Sequence, residues 1–119
     1  MKYMMLVYLD EQAMSEFERE HCYVESAQLA RELSAKGKYL ASGPLHPVAM
    51  ATSVRVRNSR RLVTDGPFAE TREQLGGYYL IDASDLDEAM SIAERIPAAK
   101  VGTIEIRPVL EIKGLPEQT

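Results

Sequence analysis

The stretch GYYLIDASDLDEAMSIAERIPAAKVGTIEIRPVL, residues 77–110, changes its hydrophobic period twice, and the order of the changes restricts the architecture. GYYLID (77–82) is short, apolar and aromatic, which predicts a strand. SDLDEAMSIAERIP follows, with Leu86, Ala89, Met90, Ala93 and Ile96 at helical spacing. Ser84 and Asp87 are spaced as a capping box, and Pro97, which lacks an N–H, terminates the helix. From Thr103 to Leu110 the period returns to two: Ile104, Ile106 and Leu110 point one way, and Thr103, Glu105 and Arg107 the other. Pro108 puts this strand at an edge or a bulge. Strand, helix and strand in this order form one split βαβ unit.

The N-terminal half repeats the pattern. YMMLVYL (3–9) predicts a central strand buried on both faces. Between residues 14 and 36 the period becomes helical, with Phe17, Val24, Ala27 and Ala30 as the expected buried stripe and Gly37 as a left-handed C-terminal cap. KYLASGPL (38–45) is extended again, and residues 52–63 predict two strands joined near Asn58 and Ser59. A two-residue turn there sets Val56 opposite Arg61, whereas a three-residue loop sets it opposite Leu62. The second register is preferred because it keeps apolar partners on one face. The predicted fold is α+β: a ferredoxin-like plait with an inserted β-hairpin and two helices on one face of an antiparallel sheet. Those helices cover one sheet face only, so a homodimer packed through the other face is expected.

Composition bounds the function classes. The chain has 119 residues, 45% hydrophobic and 27% charged, which predicts one domain over 1–112 with a loosely held tail over 113–119. A formal net charge of −4 disfavours nucleic acid and anionic membranes as main partners. The opening MKYMMLVYLDE meets acids too soon for a secretory segment, and no apolar run reaches the roughly 20 residues of a spanning helix, so a cytoplasmic location is expected. The single cysteine, Cys22, excludes an intramolecular disulfide. Without a marked base or oxyanion site, it is read as an inert thiol. No metal-ligand spacing and no glycine-rich phosphate loop are present, so neither a metal nor a nucleotide cofactor is indicated.

The candidate chemistry rests on few residues. His21 lies one helical turn from Phe17 and Val24, bordering the expected stripe, where an imidazole can titrate near a pocket between helix and sheet. His46, in SGPLHP, sits on a loop stiffened by Pro44 and Pro47 that can aim a side chain. DGPFAETREQLGG (65–77) combines strong turn chemistry with Asp65, Glu70 and Glu73, carboxylates able to serve as acid or base unless Arg72 or Arg107 neutralises them in an ion pair that only shapes the loop. Arg55, Arg57, Arg60 and Arg61 gather at the hairpin tip, either as a solvated guard against aggregation or as an anion site.

TDGPFAETRE followed by LGGYYLID resembles the motif from which the DGPF-domain branch of the YCII-related family takes its name. The likeness runs through MKYMMLVY, the SGPL loop with its following Pro47, VRVRNSRRLVTDGPF, EAMSIAERIP and GTIEIRPV. It implies a dimeric α+β barrel of ferredoxin-like protomers. For function it implies two directions: relatives that accompany or are fused to extracytoplasmic-function sigma factors, and distant relatives acting on small cyclic or chlorinated aromatic compounds with a His and Asp as acid and base. The positions that would match that pair are His21 and Asp65. One expected function is thus lyase or isomerase chemistry on a small molecule. Asp65 with His21 or His46 would move the proton, and Phe68, Glu70 and Arg107 would surround an anionic substrate. The other is a regulatory or interaction module, with a sigma factor as one possible partner.

Overall fold

In the computed structural model, which describes residues 1–116, a four-stranded antiparallel sheet carries both helices on one face. The elements follow in the order β1 (Lys2–Leu9), α1 (Glu16–Ala35), β2 (Tyr39–Pro44), β3 (Thr52–Arg57), β4 (Arg60–Asp65), β5 (Gln74–Asp82), α2 (Leu86–Ala93) and β6 (Thr103–Pro108). Short 3-10 turns at Val48–Met50 and Pro97–Lys100 complete the chain path. The sheet order β2-β5-β1-β6 interleaves two split βαβ units and confirms the ferredoxin-like plait, with β3 and β4 forming a separate two-stranded ribbon. No helix of the described residues is long and apolar enough to cross a membrane.

Alternation along β1 builds the core. Tyr3, Met5 and Val7 point to the helices and pair across the sheet with Ile81, Tyr79 and Gly77 of β5. Leu29 and Leu33 of α1 and Ala89, Ile92, Ala93 and Ile96 of the second helical segment close over them. Met5 and Ile81 are fully buried, so truncating either to Ala costs about 2–5 kcal/mol. Gly102, ahead of β6, admits no side chain: a Cβ there would collide with the Tyr8 carbonyl oxygen.

Several expectations are corrected. β1 is covered on one face only: Met4, Leu6 and Tyr8, on the face away from the helices, are half-buried. The inward row of α1 is Arg19, Cys22, Ser26, Leu29 and Leu33, not Phe17 and Val24, which face out; Ala27 borders the gap between α1 and the sheet, and Ala30 does pack against the core. Within the second helix the stripe shifts to include Ile92, while Leu86 and Met90 lie largely exposed. The capping residue of that helix is Asp85, whose carboxylate accepts from the Glu88 N–H at 2.8 Å, while Glu88 reaches back to the Ser84 N–H. Its last residue is Ala93, and Pro97 opens the following 3-10 turn.

The preferred hairpin register is also overturned. Val56 pairs with Arg61 across a two-residue turn in which Asn58 and Ser59 have φ of 51° and 63°. Both ribbon faces are largely solvent-exposed, so no buried face selects the register, and the turn sets it. Strand β5 begins at Gln74, which draws the end of the motif into the sheet, and β6 is an edge strand that ends at Pro108 with Leu110 exposed beyond it. Of the tail, Lys113 and Gly114 form a turn, with Gly114 at φ 93°; residues 117–119 lie outside the described residues.

Candidate functional site

The N-terminal half of α1 stands off the sheet because its inward positions carry Arg19, Cys22 and Ser26 where tight packing would need large apolar side chains. The gap is a cavity of about 450 Å³ bounded by Leu9, Met14, Tyr23, Pro44, Leu45 and Pro47, with Glu11, Arg19, His46 and the Cys22 thiol among its polar members. A smaller lobe of about 200 Å³ shares Leu9, Cys22, Tyr23, Pro44 and Gly76 with it and runs toward Val7, Tyr79 and Ile96. Apolar walls with a few convergent polar groups suit a small organic molecule.

Local chemistry holds the rim in place. Ser15 and Glu18 form a reciprocal capping box that starts α1, its two hydrogen bonds both 3.1 Å long. One turn in, the Arg19 guanidinium donates to the Glu11 carbonyl oxygen at 3.2 Å, which fastens the β1–α1 connection to the helix. The Glu11 backbone N–H donates to the Gln74 side chain at 3.2 Å, and the Glu11 carboxylate accepts from the Val48 N–H at 3.0 Å. Glu11 therefore ties the end of β1 to the loop that carries His46. That loop is further held by the Leu45 N–H donating to the Gly76 carbonyl at 2.9 Å, and Pro44 and Pro47 limit its backbone freedom.

Deeper in the cavity, Tyr79 donates its hydroxyl to the Ser26 carbonyl oxygen at 2.8 Å; burial pushes its pKa up. The Cys22 thiol is also pushed up, first by burial and then by the carboxylates of Glu25 and Glu18. A neutral thiol is a poor nucleophile, in agreement with its reading as inert.

The structure brings one of the predicted catalytic residues to this cavity, His46. His21 lies on the outer face of α1, its Nε2 2.7 Å from the Glu25 carboxylate, because the inward row is offset from the stripe that placed it near a pocket. Asp65 ends β4 opposite Thr52, and both are exposed. The motif's turn closes the base of the ribbon: the Gly66 N–H donates to the Ala51 carbonyl at 2.7 Å, and the Ser53 hydroxyl donates to the Gly66 carbonyl at 2.8 Å. Phe68 is 79% exposed beneath the Arg55 guanidinium, 6.0 Å from its ring centre, and Glu70 is exposed nearby. Arg107 lies opposite Met4 on the sheet face away from the helices. Within one chain, then, Asp65, His21 and Arg107 do not converge. Glu11 and Arg19 escaped the sequence reading; the signal for Arg19 was the 3-4-3-4 spacing of Arg19, Cys22, Ser26, Leu29 and Leu33, obscured by its polar first half.

Comparison with known proteins agrees with this architecture. The sequence pattern of the YCII-related domain matches residues 1–113. An uncharacterized protein of Rhizobium meliloti (strain 1021), R00369, is 41% identical over 118 residues, covering 92% of each chain. Among solved structures, the chain resembles 5-chloro-2-hydroxyhydroquinone dehydrochlorinase (TftG) from Burkholderia phenoliruptrix AC1100 in complex with 2,5-dihydroxybenzoquinone. The TM-score is 0.59 at 17% identity, over 95% of this chain and 97% of that one.

Proposed function

Since the chain belongs to the YCII-related domain family, we propose that the cavity between α1 and the sheet binds a small hydroxylated or quinoid ring compound and that His46 moves a proton on it. The observation that carries this reading is the cavity itself, apolar along its walls and joined by Arg19, Glu11 and His46. Arg19 spends one donor on the Glu11 carbonyl, leaving the rest of its fork to hold a phenolate or carboxylate oxygen. His46 supplies an imidazole there, which takes the proton of a ring hydroxyl while a leaving group departs or the ring tautomerises. Glu11, fixed by Val48, orients the His46 loop. The similarity to a dehydrochlorinase bound to a dihydroxybenzoquinone supports a lyase or isomerase class, and the sequence motif TDGPFAETRE supports a place in the DGPF branch of the family.

Calorimetric titration with 2,5-dihydroxybenzoquinone tests the reading. The expected outcome is saturable binding, weakened at least tenfold, about 1.4 kcal/mol, in Arg19→Gln and in His46→Gln, with melting temperatures near wild type because neither side chain belongs to the packed core. Binding unchanged in both variants would remove the cavity from consideration.

We also propose that two copies pack through the uncovered sheet faces as a dimeric α+β barrel in the cytoplasm. Half-buried Met4, Leu6 and Tyr78 line that face beside Leu80. The chain exposes 8840 Å², against roughly 6,450 Å² for a compact monomer of its mass. The excess of about 2,400 Å² per copy is spread over the ribbon and the segment after β6 as well as the open sheet face. A second reading, an interaction module with a sigma factor as partner, is favoured by the exposure of the motif residues Asp65, Phe68 and Glu70. Absence of any small-molecule binding together with motif-dependent capture of a sigma factor would decide for it.

A further inference from the structure

The β3–β4 ribbon has two unlike faces, because residues paired across it share a side. Val54 with Val63, and Val56 with Arg61, make an apolar face; Arg55 with Leu62, and Arg57 with Arg60, make a basic one. The three valines are more than half exposed, and an isolated two-stranded ribbon with a bare apolar face is marginal in water. A second bare surface lies on the outer side of α1, where Phe17 and Val24 sit two turns apart, 80% and 64% exposed. Glu16 and Glu20 flank that stripe on one side and Glu18 and Glu25 on the other.

The charges are complementary. The ribbon carries four arginines and one aspartate, a balance of +3, while the other residues of the chain carry 10 basic and 17 acidic side chains, a balance of −7. The molecule is more extended than a compact domain of its length: its radius of gyration is 16.0 Å, against roughly 13.5 Å.

We propose that the ribbon is an intersubunit arm whose valine face lies on the outer stripe of α1 of a second copy. Phe17 and Val24 pack against Val54 and Val56, and Arg61 faces the flanking Glu20. By two-fold symmetry the exchange is reciprocal, so each dimer holds two such contacts. The inference rests on the dimer proposed above and adds to it a contact distinct from the sheet face. In this arrangement Phe17 and Val24 face outward because they belong to an interface, and the arm's arginines serve recognition between copies.

Disulfide trapping tests it on a Cys22→Ser background, with Val54→Cys in one preparation and Phe17→Cys in another. Mixing the two under mild oxidation is expected to give a covalent heterodimer, with neither preparation alone cross-linking comparably. In parallel, Val54→Glu/Val56→Glu, changes at positions already exposed to solvent, should raise the dimer dissociation constant at least tenfold. Glu20→Arg should weaken the dimer and Arg61→Glu in the same chain should restore it. A dimer indifferent to all these changes overturns the arm and leaves the sheet-face dimer standing. A wild-type monomer at every concentration overturns both. An intramolecular disulfide in a chain carrying both cysteines would show the arm folded onto its own helix and would equally overturn the proposal.

Discussion

Cys22 borders both lobes of the cavity, which makes its thiol a reporter of the site. Burial and the two neighbouring glutamates favour the neutral thiol, so the folded chain holds this proton to higher pH than an unfolded one. The associated stability is present below the ordinary thiol pKa of about 8.5 and is lost as pH rises through the raised folded value. Alkylation by iodoacetamide should therefore show an apparent pKa above that of a free cysteine, shifted back down in Glu25→Gln. A ligand bound in the cavity should slow the reaction further. At this scale the sequence disclosed His46, since prolines on either side announce a stiff loop near the end of a strand. Arg19 and Glu11 were hidden because their contacts leave no periodic signal: the Arg19 fork reaches the Glu11 carbonyl across the β1–α1 connection, and the Glu11 carboxylate accepts from the distant Val48 N–H. His21 was misplaced for a related reason. Phase along a helix is read from apolar residues, and at the start of α1 the apolar side chains are on the outside.

Strand order and the existence of both helices were legible because alternation and helical spacing are local signals strongly expressed in residues 77–110. Phase and register were less so. In α1 the inward row opens with polar residues that border the cavity, and the helix becomes conventionally amphipathic only from Leu29 onward. Its far end is regular: Gly37 takes φ 73°, with the Lys38 N–H on the Leu33 carbonyl at 2.9 Å and the Gly37 N–H on that of Ser34 at 3.0 Å. In the ribbon, the preference for apolar pairing failed because neither face is buried and the turn dictates the pairing. Ser59 at φ 63° occupies a position that favours glycine. Ser59→Gly should therefore stabilise the ribbon by about 1 kcal/mol. Hydrogen exchange would check this: slower exchange is expected for the amides of β3 and β4, with no change at Met5 or Ile81 in the core.

The whole molecule is a plait with one finished face and one unfinished one. Helices close the core on Tyr3, Met5, Tyr79 and Ile81, and the Arg95–Glu32 and Lys38–Glu88 ion pairs fasten α1, the start of β2 and the second helical segment together. On the other side the sheet presents Met4, Leu6 and Tyr78, and the arm extends beyond it with bare valines. The proposed dimer contacts and the proposed ligand site lie on different surfaces of this body, so the cavity, open within one chain, requires its own test. That cavity is the proposed binding place of a small ring compound. Amide chemical-shift perturbation during titration of isotope-labelled protein with 2,5-dihydroxybenzoquinone examines it directly. The predicted result is a saturating set of shifts centred on Leu9, Glu11, Cys22, His46 and Gly76, with the ribbon tip around Asn58 unmoved. A flat titration to millimolar ligand, or shifts confined to the ribbon or to the outer sheet face, would contradict the assignment.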